Sequence, residues 1–283
     1  MNNNTENVNR CLNCGTELTD NFCPHCGQKA KTKRLKLKEI IGDTVNSFIG
    51  GDSKLLNSVT ALCIRPGHMI REYLQGHRAR YYNPMQMLIW MISIYAVLSF
   101  LVGDDIFFAN NTSPMDHDTL KNKGNIIVTL WIYVEKIYTY ITENKLYYMV
   151  FNAVLGVWPT YFIFRKNKIL RPDGESICLN HTEIFYVLLY SACIEIICSI
   201  VLIPFTLIKG AEDILTTINN AAGFMFNVII MKQLYEIGWW KSFLRQILII
   251  AIILSYILIL IILGAGLVYG IVCMIYGKEA ITG

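Results

Sequence analysis

Five long apolar runs follow residue 83 and decide what kind of fold this chain can form. The longest, residues 247–275, contains no charged side chain, and a helix needs only about 20 apolar residues to cross a bilayer. Lipid offers no hydrogen bonds to the backbone, so a spanning segment satisfies its amides within a helix. We therefore predict an all-α, multi-pass membrane protein with five transmembrane helices. They cover residues 84–102, 146–164, 183–207, 214–231 and 247–275.

The composition of the 283 residues supports the same class. Hydrophobic residues make up 54% of the chain and charged residues 16%, whereas about a quarter of an average soluble domain is charged. So few charges cannot cover a soluble surface of this size, and so high an apolar content excludes a disordered chain. The composition specifies no reaction.

Positive charge is concentrated at one end of the chain. Residues 1–83 carry 12 of the 25 lysines and arginines. The polar stretch 1–9 lacks the apolar core of a secretion signal, so we expect the N-terminus to stay in the cytoplasm. Five spans then place 19 of the 25 cations on the cytoplasmic side and six outside, which agrees with the positive-inside rule. The C-terminus is predicted to lie outside.

The segment between the first two spans, residues 103–145, is predicted to form an outer loop. Its second half, 126–141, is rich in aromatic residues, which favours an interfacial helix lying on the outer leaflet. A sixth span is the alternative, and it would return the C-terminus to the cytoplasm. Glu135 and Lys136 in the middle of this stretch count against the sixth span because charges are costly in lipid.

Four cysteines occur in two Cys-x-x-Cys-Gly turns near the N-terminus. Four thiolates close a tetrahedral structural zinc site and leave no open position for water or substrate. A pair of disulfides is the alternative, and it requires an oxidising compartment, which the missing secretion signal argues against. We predict a small cytoplasmic zinc ribbon, residues 1–28, whose folding depends on its metal. The predicted ligands are Cys11, Cys14, Cys23 and Cys26.

One histidine and five further cysteines are not predicted to bind the metal. His25 lies between the two ligands of the second turn, and we expect it to face solvent because four cysteines complete the usual ligand set. The other five cysteines are scattered through apolar sequence, where free cysteine packs as a small hydrophobe.

A basic and amphipathic segment, residues 29–83, connects the ribbon to the first span. Its start, 29–38, holds six basic residues, and beside a membrane such a run favours anionic lipid headgroups over nucleic acid. Apolar spacing predicts three short helices. The first covers residues 35–49, the second follows a cap at Asp52 or Ser53 and carries apolar residues from 55 to 63, and the third runs from Pro66 until Gly76. Pro66 suits the first turn of the third helix.

The residues just before the first span combine arginines with Tyr81 and Tyr82. Such a cationic and aromatic belt anchors a span at the headgroup level. Guanidinium groups also bind phosphate in a bidentate geometry, so the sharper hypothesis is a headgroup or phosphate site. Its residues are Arg65, Arg71, Arg78 and Arg80.

The string from Arg65 to Pro84 is long and specific: Arg-Pro-Gly-His-Met-Ile-Arg-Glu-Tyr-Leu-Gln-Gly-His-Arg-Ala-Arg-Tyr-Tyr-Asn-Pro. Together with the ribbon and the basic segment, it resembles the bacterial zinc-ribbon membrane proteins of domain of unknown function 3667. The similarity is sharpest over residues 11–100 and looser downstream. The resemblance supports the architecture, and it implies no activity and no catalytic residue. We expect the membrane to be the bacterial inner membrane.

One acidic residue, Glu195, lies within the third span. Ionisable groups are costly in lipid, so Glu195 is a candidate for proton or cation binding; a protonated or paired glutamate that holds helices together is the alternative. His181 begins the same helix about 21 Å away at 1.5 Å per residue, so the two cannot share a site. Asn152 and Asn227 are candidates for hydrogen bonds between helices.

The sequence carries no Walker, dinucleotide-binding, zinc-protease or nucleophile-elbow motif, which disfavours an enzyme. Our first hypothesis is a non-enzymatic membrane adaptor or regulator, whose ribbon and basic segment recruit or sense a partner protein at the cytoplasmic face. A small transporter or channel that uses Glu195 is the alternative. A lipid-modifying enzyme that uses the arginines is a third hypothesis.

Overall fold

The computed structural model describes residues 10–30, 53–102, 145–170, 176–208 and 210–276. The helix predicted over residues 35–49 lies outside these ranges. Residues 103–144 of the predicted outer loop lie outside them as well, so neither an interfacial helix nor a sixth span is described there.

Helices make up most of the described chain beyond the ribbon. Helices α1 (Ser53–Ile64) and α2 (Pro66–Leu74) come first, and we call residues 53–83 the collar. A 3-10 turn over Ile203–Leu207 continues α5. The longer helices are α3 (Pro84–Val102), α4 (Lys145–Phe164), α5 (His181–Leu202), α6 (Glu212–Tyr235) and α7 (Trp239–Tyr276).

By length and apolar content, five of the described helices can cross a membrane, in the positions of the five predicted spans. Several boundaries differ, most of all in the last two spans. The fourth candidate span runs to Tyr235 instead of residue 231, and the fifth covers Trp239–Gly264 instead of residues 247–275. The added turns of α7 pack on α6, where the buried Ser242 hydroxyl donates to the Val228 carbonyl oxygen at 2.7 Å. Contacts between helices therefore extend them beyond their apolar runs.

A β-hairpin lies between α4 and α5, and the sequence analysis does not predict it. Strand β1 (Lys168–Leu170) pairs antiparallel with strand β2 (Ser176–Cys178), with Ile169 opposite Ile177. Three-residue strands are too short to show an alternating apolar pattern. The sequence does contain an indication of the turn, because Pro172, Asp173 and Gly174 between the strands are turn-forming residue types.

Helix α5 forms the centre of the bundle and contacts α3, α4 and α6. A capping box fixes its start: Asn180 Oδ1 accepts from the Glu183 amide at 2.7 Å, and the Glu183 carboxylate accepts from the Asn180 amide at 2.8 Å. These bonds satisfy amides at the helix start. Two fully buried tyrosines of α5, Tyr186 and Tyr190, pack against Tyr73 of α2. The collar is thereby attached to the central helix.

Helix α2 lies directly on the backbone of α6, and Gly67 makes this close approach possible. A Cβ atom at Gly67 would lie 2.5 Å from the Ile230 carbonyl oxygen and 2.9 Å from the Leu234 nitrogen. The Gly67 amide donates to Gln233 Oε1 at 2.8 Å. An amide in the first turn of a helix has no intrahelical acceptor, so α6 supplies the acceptor here. The two helices fit together in this way only with glycine at position 67.

We expect Gly67→Ala to separate α2 from α6. The added methyl group overlaps helix backbone, so the free energy of unfolding should fall by about 1–3 kcal/mol or more. Gel filtration of the detergent-solubilised protein after heating measures this as a lower apparent unfolding temperature. Gly238→Ala is the matched control, because nothing lies within 4 Å of its added Cβ. Equal thermal stability of the two variants would contradict the role given to Gly67.

Candidate functional site

The four ribbon cysteines lie together. Their Sγ atoms are all within 4.8 Å of one another, and the Cys11–Cys26 and Cys14–Cys23 Sγ pairs are each 3.5 Å apart. A disulfide requires about 2.05 Å, and all four are free cysteines. At a zinc–sulfur distance of about 2.3 Å, a tetrahedron of thiolates has edges of about 3.8 Å. The cluster therefore has the dimensions to hold a metal ion.

Two matching backbone turns present the thiols. The Gly15 amide donates to the Cys11 carbonyl oxygen at 2.8 Å, and the Gly27 amide donates to the Cys23 carbonyl oxygen at 2.9 Å. Both glycines have positive φ, 76° and 70°, a left-handed conformation that costs other residues roughly 1–2 kcal/mol. The glycine after each second cysteine therefore permits the turn.

The surroundings of the thiols differ. Burial raises the pKa of Cys11 to about 11. The hydrogen bond between the Cys14 thiol and the Thr16 hydroxyl, at 3.2 Å, lowers the pKa of Cys14 to about 6. A bound cation favours all four thiolates, because metal ligands must be deprotonated. His25 is exposed and lies outside the cluster, as expected.

Gln28 attaches the ribbon to the collar. Its side-chain Oε1 accepts a hydrogen bond from the Ala79 amide at 3.1 Å, and its backbone carbonyl accepts from the Cys23 amide at 2.7 Å. The Gln28 residue is only 6% exposed. One buried residue thus contacts both the second cysteine turn and the loop that leads to α3.

That loop is in turn bonded to α1 and to α5. The Tyr82 amide donates to the Ser58 hydroxyl of α1 at 2.8 Å, and the Tyr82 carbonyl accepts from the Tyr190 hydroxyl of α5 at 2.5 Å. Asn83 then begins α3, because its side-chain oxygen accepts from the Met85 amide at 3.0 Å. The ribbon, the loop and the central helix are therefore connected by hydrogen bonds.

Glu72 holds two arginines and a tyrosine of the collar. Its carboxylate lies 3.3 Å from Arg65 Nη1 and 3.8 Å from Arg80 Nη1, and it accepts from the Tyr81 hydroxyl at 2.5 Å. Burial and this hydrogen bond raise the pKa of Tyr81 to about 12. The side chains of Arg65 and Arg80 remain 43% and 59% exposed, so both can still meet a ligand.

Arg71 makes a different set of contacts, at the end of α6. Its Nε and Nη2 donate to the Leu234 carbonyl oxygen at 3.0 and 2.6 Å, and Nη2 also lies 2.6 Å from the Gln233 carbonyl oxygen. Nη1 pairs with the Glu236 carboxylate. The last carbonyls of a helix have no intrahelical donors, so Arg71 caps α6. The pairing with Arg71 lowers the pKa of Glu236.

The four arginines predicted as a headgroup or phosphate site are thus placed differently. Arg65 and Arg80 meet at Glu72, whereas Arg71 bonds to α6 and lines a cleft of about 320 Å³ beside the hairpin. Arg78 is half-buried in the same loop as Arg80. Ligand binding by the four stays a prediction.

Sequence reasoning missed three residues that organise this region, namely Gly67, Glu72 and Gln28. For Gly67 a signal existed, since glycine is a poor helix former and here stands in the second position of a predicted helix. Glu72 and Gln28 gave no such signal, because their partners lie elsewhere in the sequence and the folded chain brings them together.

Polar side chains line the contact between α5 and α6 at four-residue intervals. Ser191 Oγ donates to Asn227 Oδ1 at 2.8 Å, which confirms the bond between helices predicted for Asn227. Glu195 faces Gly223, where an added Cβ would lie 3.6 Å from Glu195 Cγ. Asn152, by contrast, is exposed on α4. We call this contact the polar seam, and its members are Ser191, Glu195, Ser199, Asn219, Gly223 and Asn227.

Comparison with known proteins finds one family model that matches part of the chain. Residues 52–96 match the family model described as protein of unknown function (DUF3667). The match confirms the family resemblance over the collar and most of the first candidate span, and it includes the helix that carries Gly67, Arg71 and Glu72. No curated protein and no solved structure matches the chain.

We expect Cys14→Ser to remove bound metal and to leave membrane insertion unchanged, because no collar or span contact described above uses this thiol. Elemental mass spectrometry of the purified full-length protein should find about one zinc ion per wild-type chain and almost none in the variant. Cys63→Ser is the control, since Cys63 is an exposed free cysteine outside the cluster. Full zinc content in Cys14→Ser would contradict the assignment, and loss of insertion would contradict separable modules.

Glu236→Gln tests the Arg71 cap through its pH dependence. Because the folded pKa of Glu236 is lowered, the pair stabilises the fold at neutral pH and loses this effect as the pH falls below about 4. Glu236 is 73% exposed, so the effect is small, up to about 1 kcal/mol.

Thermal unfolding at several pH values measures this difference. The wild type should be more stable than Glu236→Gln at pH 7, and the gap should close in acid. In an Arg71→Ala background the same substitution should have no effect. A difference in unfolding temperature that persists in the Arg71→Ala background, or that does not change with pH, would show that the Arg71–Glu236 pair is not its cause.

Proposed function

We propose that the chain is a non-enzymatic adaptor or regulator of the bacterial inner membrane, with its N-terminus in the cytoplasm and its C-terminus outside. In this proposal the ribbon recruits or senses a partner protein, and the collar holds the ribbon against the bundle. The observation that carries it is the contact of the Gln28 side chain with the Ala79 amide at 3.1 Å. A ribbon bonded to the collar has a fixed position relative to the helices. Binding of a partner to the ribbon can therefore change the position of the collar and of the helices packed on it.

A structural zinc ion fits this function. The four thiols have the spacing of a closed tetrahedral site, so zinc would join the two cysteine turns and perform no chemistry on a substrate. A ribbon this small cannot build an apolar core of its own, and its folding would therefore be coupled to metal binding. The residues that would hold the zinc are Cys11, Cys14, Cys23 and Cys26.

Two apolar side chains of the ribbon are the proposed contact for a partner protein. Leu12 directly follows Cys11, and Phe22 directly precedes Cys23, and their residues are 40% and 55% exposed. Their positions are fixed by the neighbouring ligands when the metal is bound. In this proposal a protein partner covers these two side chains, because burial of apolar area on binding is favourable.

The collar is proposed to contact anionic lipid headgroups through Arg65 and Arg80. Both precede the first candidate span closely and are partly exposed. With Glu72 between them, the group keeps a net charge of +1. Each basic residue near an anionic surface contributes about 1 kcal/mol to its attraction, which would hold the collar at the membrane boundary.

A second candidate function is movement of a small ion through the bundle, and the position of Glu195 in the polar seam favours it. In proteoliposomes containing equal amounts of protein, Glu195→Gln would then abolish an ion flux that the wild type supports. Equal flux through the two proteins excludes this candidate.

A photoreactive amino acid in place of Phe22 tests the adaptor function in the full-length protein. We expect a crosslink to a cytoplasmic protein in living cells, and we expect Cys14→Ser to abolish it, because the ribbon then loses its fold. Asp20, exposed and polar on the same ribbon, is the matched control position and should give little product. Identical products from both positions, or products that survive Cys14→Ser, would contradict specific recruitment by the ribbon.

A further inference from the structure

A polar cleft beside the hairpin has no part in the proposed function. It has a volume of about 320 Å³ and lies where α2, strand β1 and the end of α6 meet. Two basic side chains line it, Arg71 from α2 and Lys168 from β1, together with the Glu236 carboxylate. This volume is at the lower end of the range for small-molecule sites in proteins. The cleft can therefore take a small charged group.

The Tyr235 hydroxyl adds an uncharged donor to the same cleft. Tyr235 lines the cleft and is only 7% exposed, and its ring stacks on Phe164 with 4.8 Å between the centroids. Within the described part of the chain this hydroxyl makes no hydrogen bond, and it is not fully enclosed by protein. Buried polar groups normally have a partner, because burial without one is costly. The hydroxyl is therefore available to a ligand in the cleft.

Arg71 is held in place by two of its nitrogens and presents the third to the cleft. Nε and Nη2 donate to carbonyl oxygens at the end of α6, which fixes the plane of the guanidinium group. Nη1 donates to the Glu236 carboxylate, and the Glu236 side chain is 73% exposed. An exposed ion pair contributes little to stability, so this carboxylate can move away. Glu236 is thus a tethered anion at a position that a free anion could take.

The charges in the cleft select the class of ligand. Without the Glu236 carboxylate the lining carries the two positive charges of Arg71 and Lys168. A carboxylate ligand has the same charge as Glu236, and it would have to displace a group whose tether gives it a high effective concentration. A phosphate monoester carries about −1.5 to −2 charges at pH 7 and three strong acceptor oxygens. Phosphate therefore competes better than a second carboxylate.

We propose that a phosphate group binds in this cleft between Arg71 Nη1, the Lys168 ammonium group and the Tyr235 hydroxyl. The phosphate takes the place of the Glu236 carboxylate at Arg71, and it joins the hairpin to α2 and α6. The site goes beyond the adaptor function, because it uses neither the ribbon nor the two arginines at Glu72.

The phosphate can come from a lipid headgroup or from a soluble molecule. Lys168 lies four residues after the second candidate span, Tyr147–Phe164, and Glu236 directly follows the fourth, Asp213–Tyr235. Charged residues at the ends of spans lie near the headgroups of the bilayer. Phosphatidic acid and inorganic phosphate present the same phosphate chemistry, so the two sources are compared directly.

Thermal unfolding of the full-length, zinc-loaded protein in detergent micelles tests the site in two arms. In the first arm inorganic phosphate replaces chloride at equal ionic strength. In the second arm the micelles contain phosphatidic acid instead of phosphatidylcholine. The apparent unfolding temperature should rise and saturate in at least one arm, because a ligand of the folded state stabilises it. A rise with inorganic phosphate supports a soluble ligand, and a rise with phosphatidic acid alone supports a headgroup.

Four substitutions separate this site from a general salt effect, and all of them leave the Arg71 cap of α6 in place. Lys168→Gln should weaken the apparent affinity about tenfold. Lys166→Gln is the matched control and should not, because Lys166 is exposed and lies outside the lining. Tyr235→Phe keeps the ring and should also weaken binding. Glu236→Gln should strengthen binding about threefold, because the competing carboxylate is gone.

Two results would overturn the proposal. One is the absence of a saturable rise in both arms. The other is an equal response of Lys168→Gln and Lys166→Gln, which assigns the rise to salt. Weaker binding in Glu236→Gln would refute the displacement of its carboxylate. Where Lys168→Gln does not fold, Tyr235→Phe decides instead: reduced affinity supports the site, and an affinity equal to that of the wild type refutes it.

Discussion

The contact between α2 and the end of α6 is the interaction on which the rest of the described structure depends. Gly67 lets the two backbones meet, and Arg71, one turn later, donates to carbonyls that α6 leaves without partners. Gly67 and its acceptor Gln233 are 166 residues apart in the sequence. This contact therefore joins the collar to a helix far along the chain, and charge-assisted hydrogen bonds make it stronger than apolar packing alone.

The collar, held in place by this contact, is also bonded to the ribbon and to the central helix α5. Tyr73 packs on α5, the Tyr82 carbonyl accepts from Tyr190, and the Ala79 amide donates to Gln28 beside the second cysteine turn. The cluster of four cysteines is thereby connected to the centre of the bundle through a short series of hydrogen bonds and side-chain contacts. A chain that senses a partner at its ribbon needs such a connection, which is why the proposed function rests on Gln28.

The helices could be predicted from the sequence because the cost of placing charge in lipid acts locally, residue by residue. The cysteine cluster could be predicted because ligand spacing encodes it. The contacts between elements could not be predicted. Arg71 belongs to the same group of candidate arginines as Arg65 and Arg80, and only the distant end of α6 gives it a different role. The need for glycine at position 67 likewise arises from Ile230 and Leu234.

Hydrogen–deuterium exchange at the Gly67 amide measures the central contact most directly. This amide lies in the first turn of α2 and has no acceptor within its own helix, so its protection reports the bond to Gln233 Oε1. Slow exchange is expected in the intact protein, and fast exchange in Gln233→Ala. Fast exchange in the intact protein, as at an open helix end, would contradict the docking of α2 on α6.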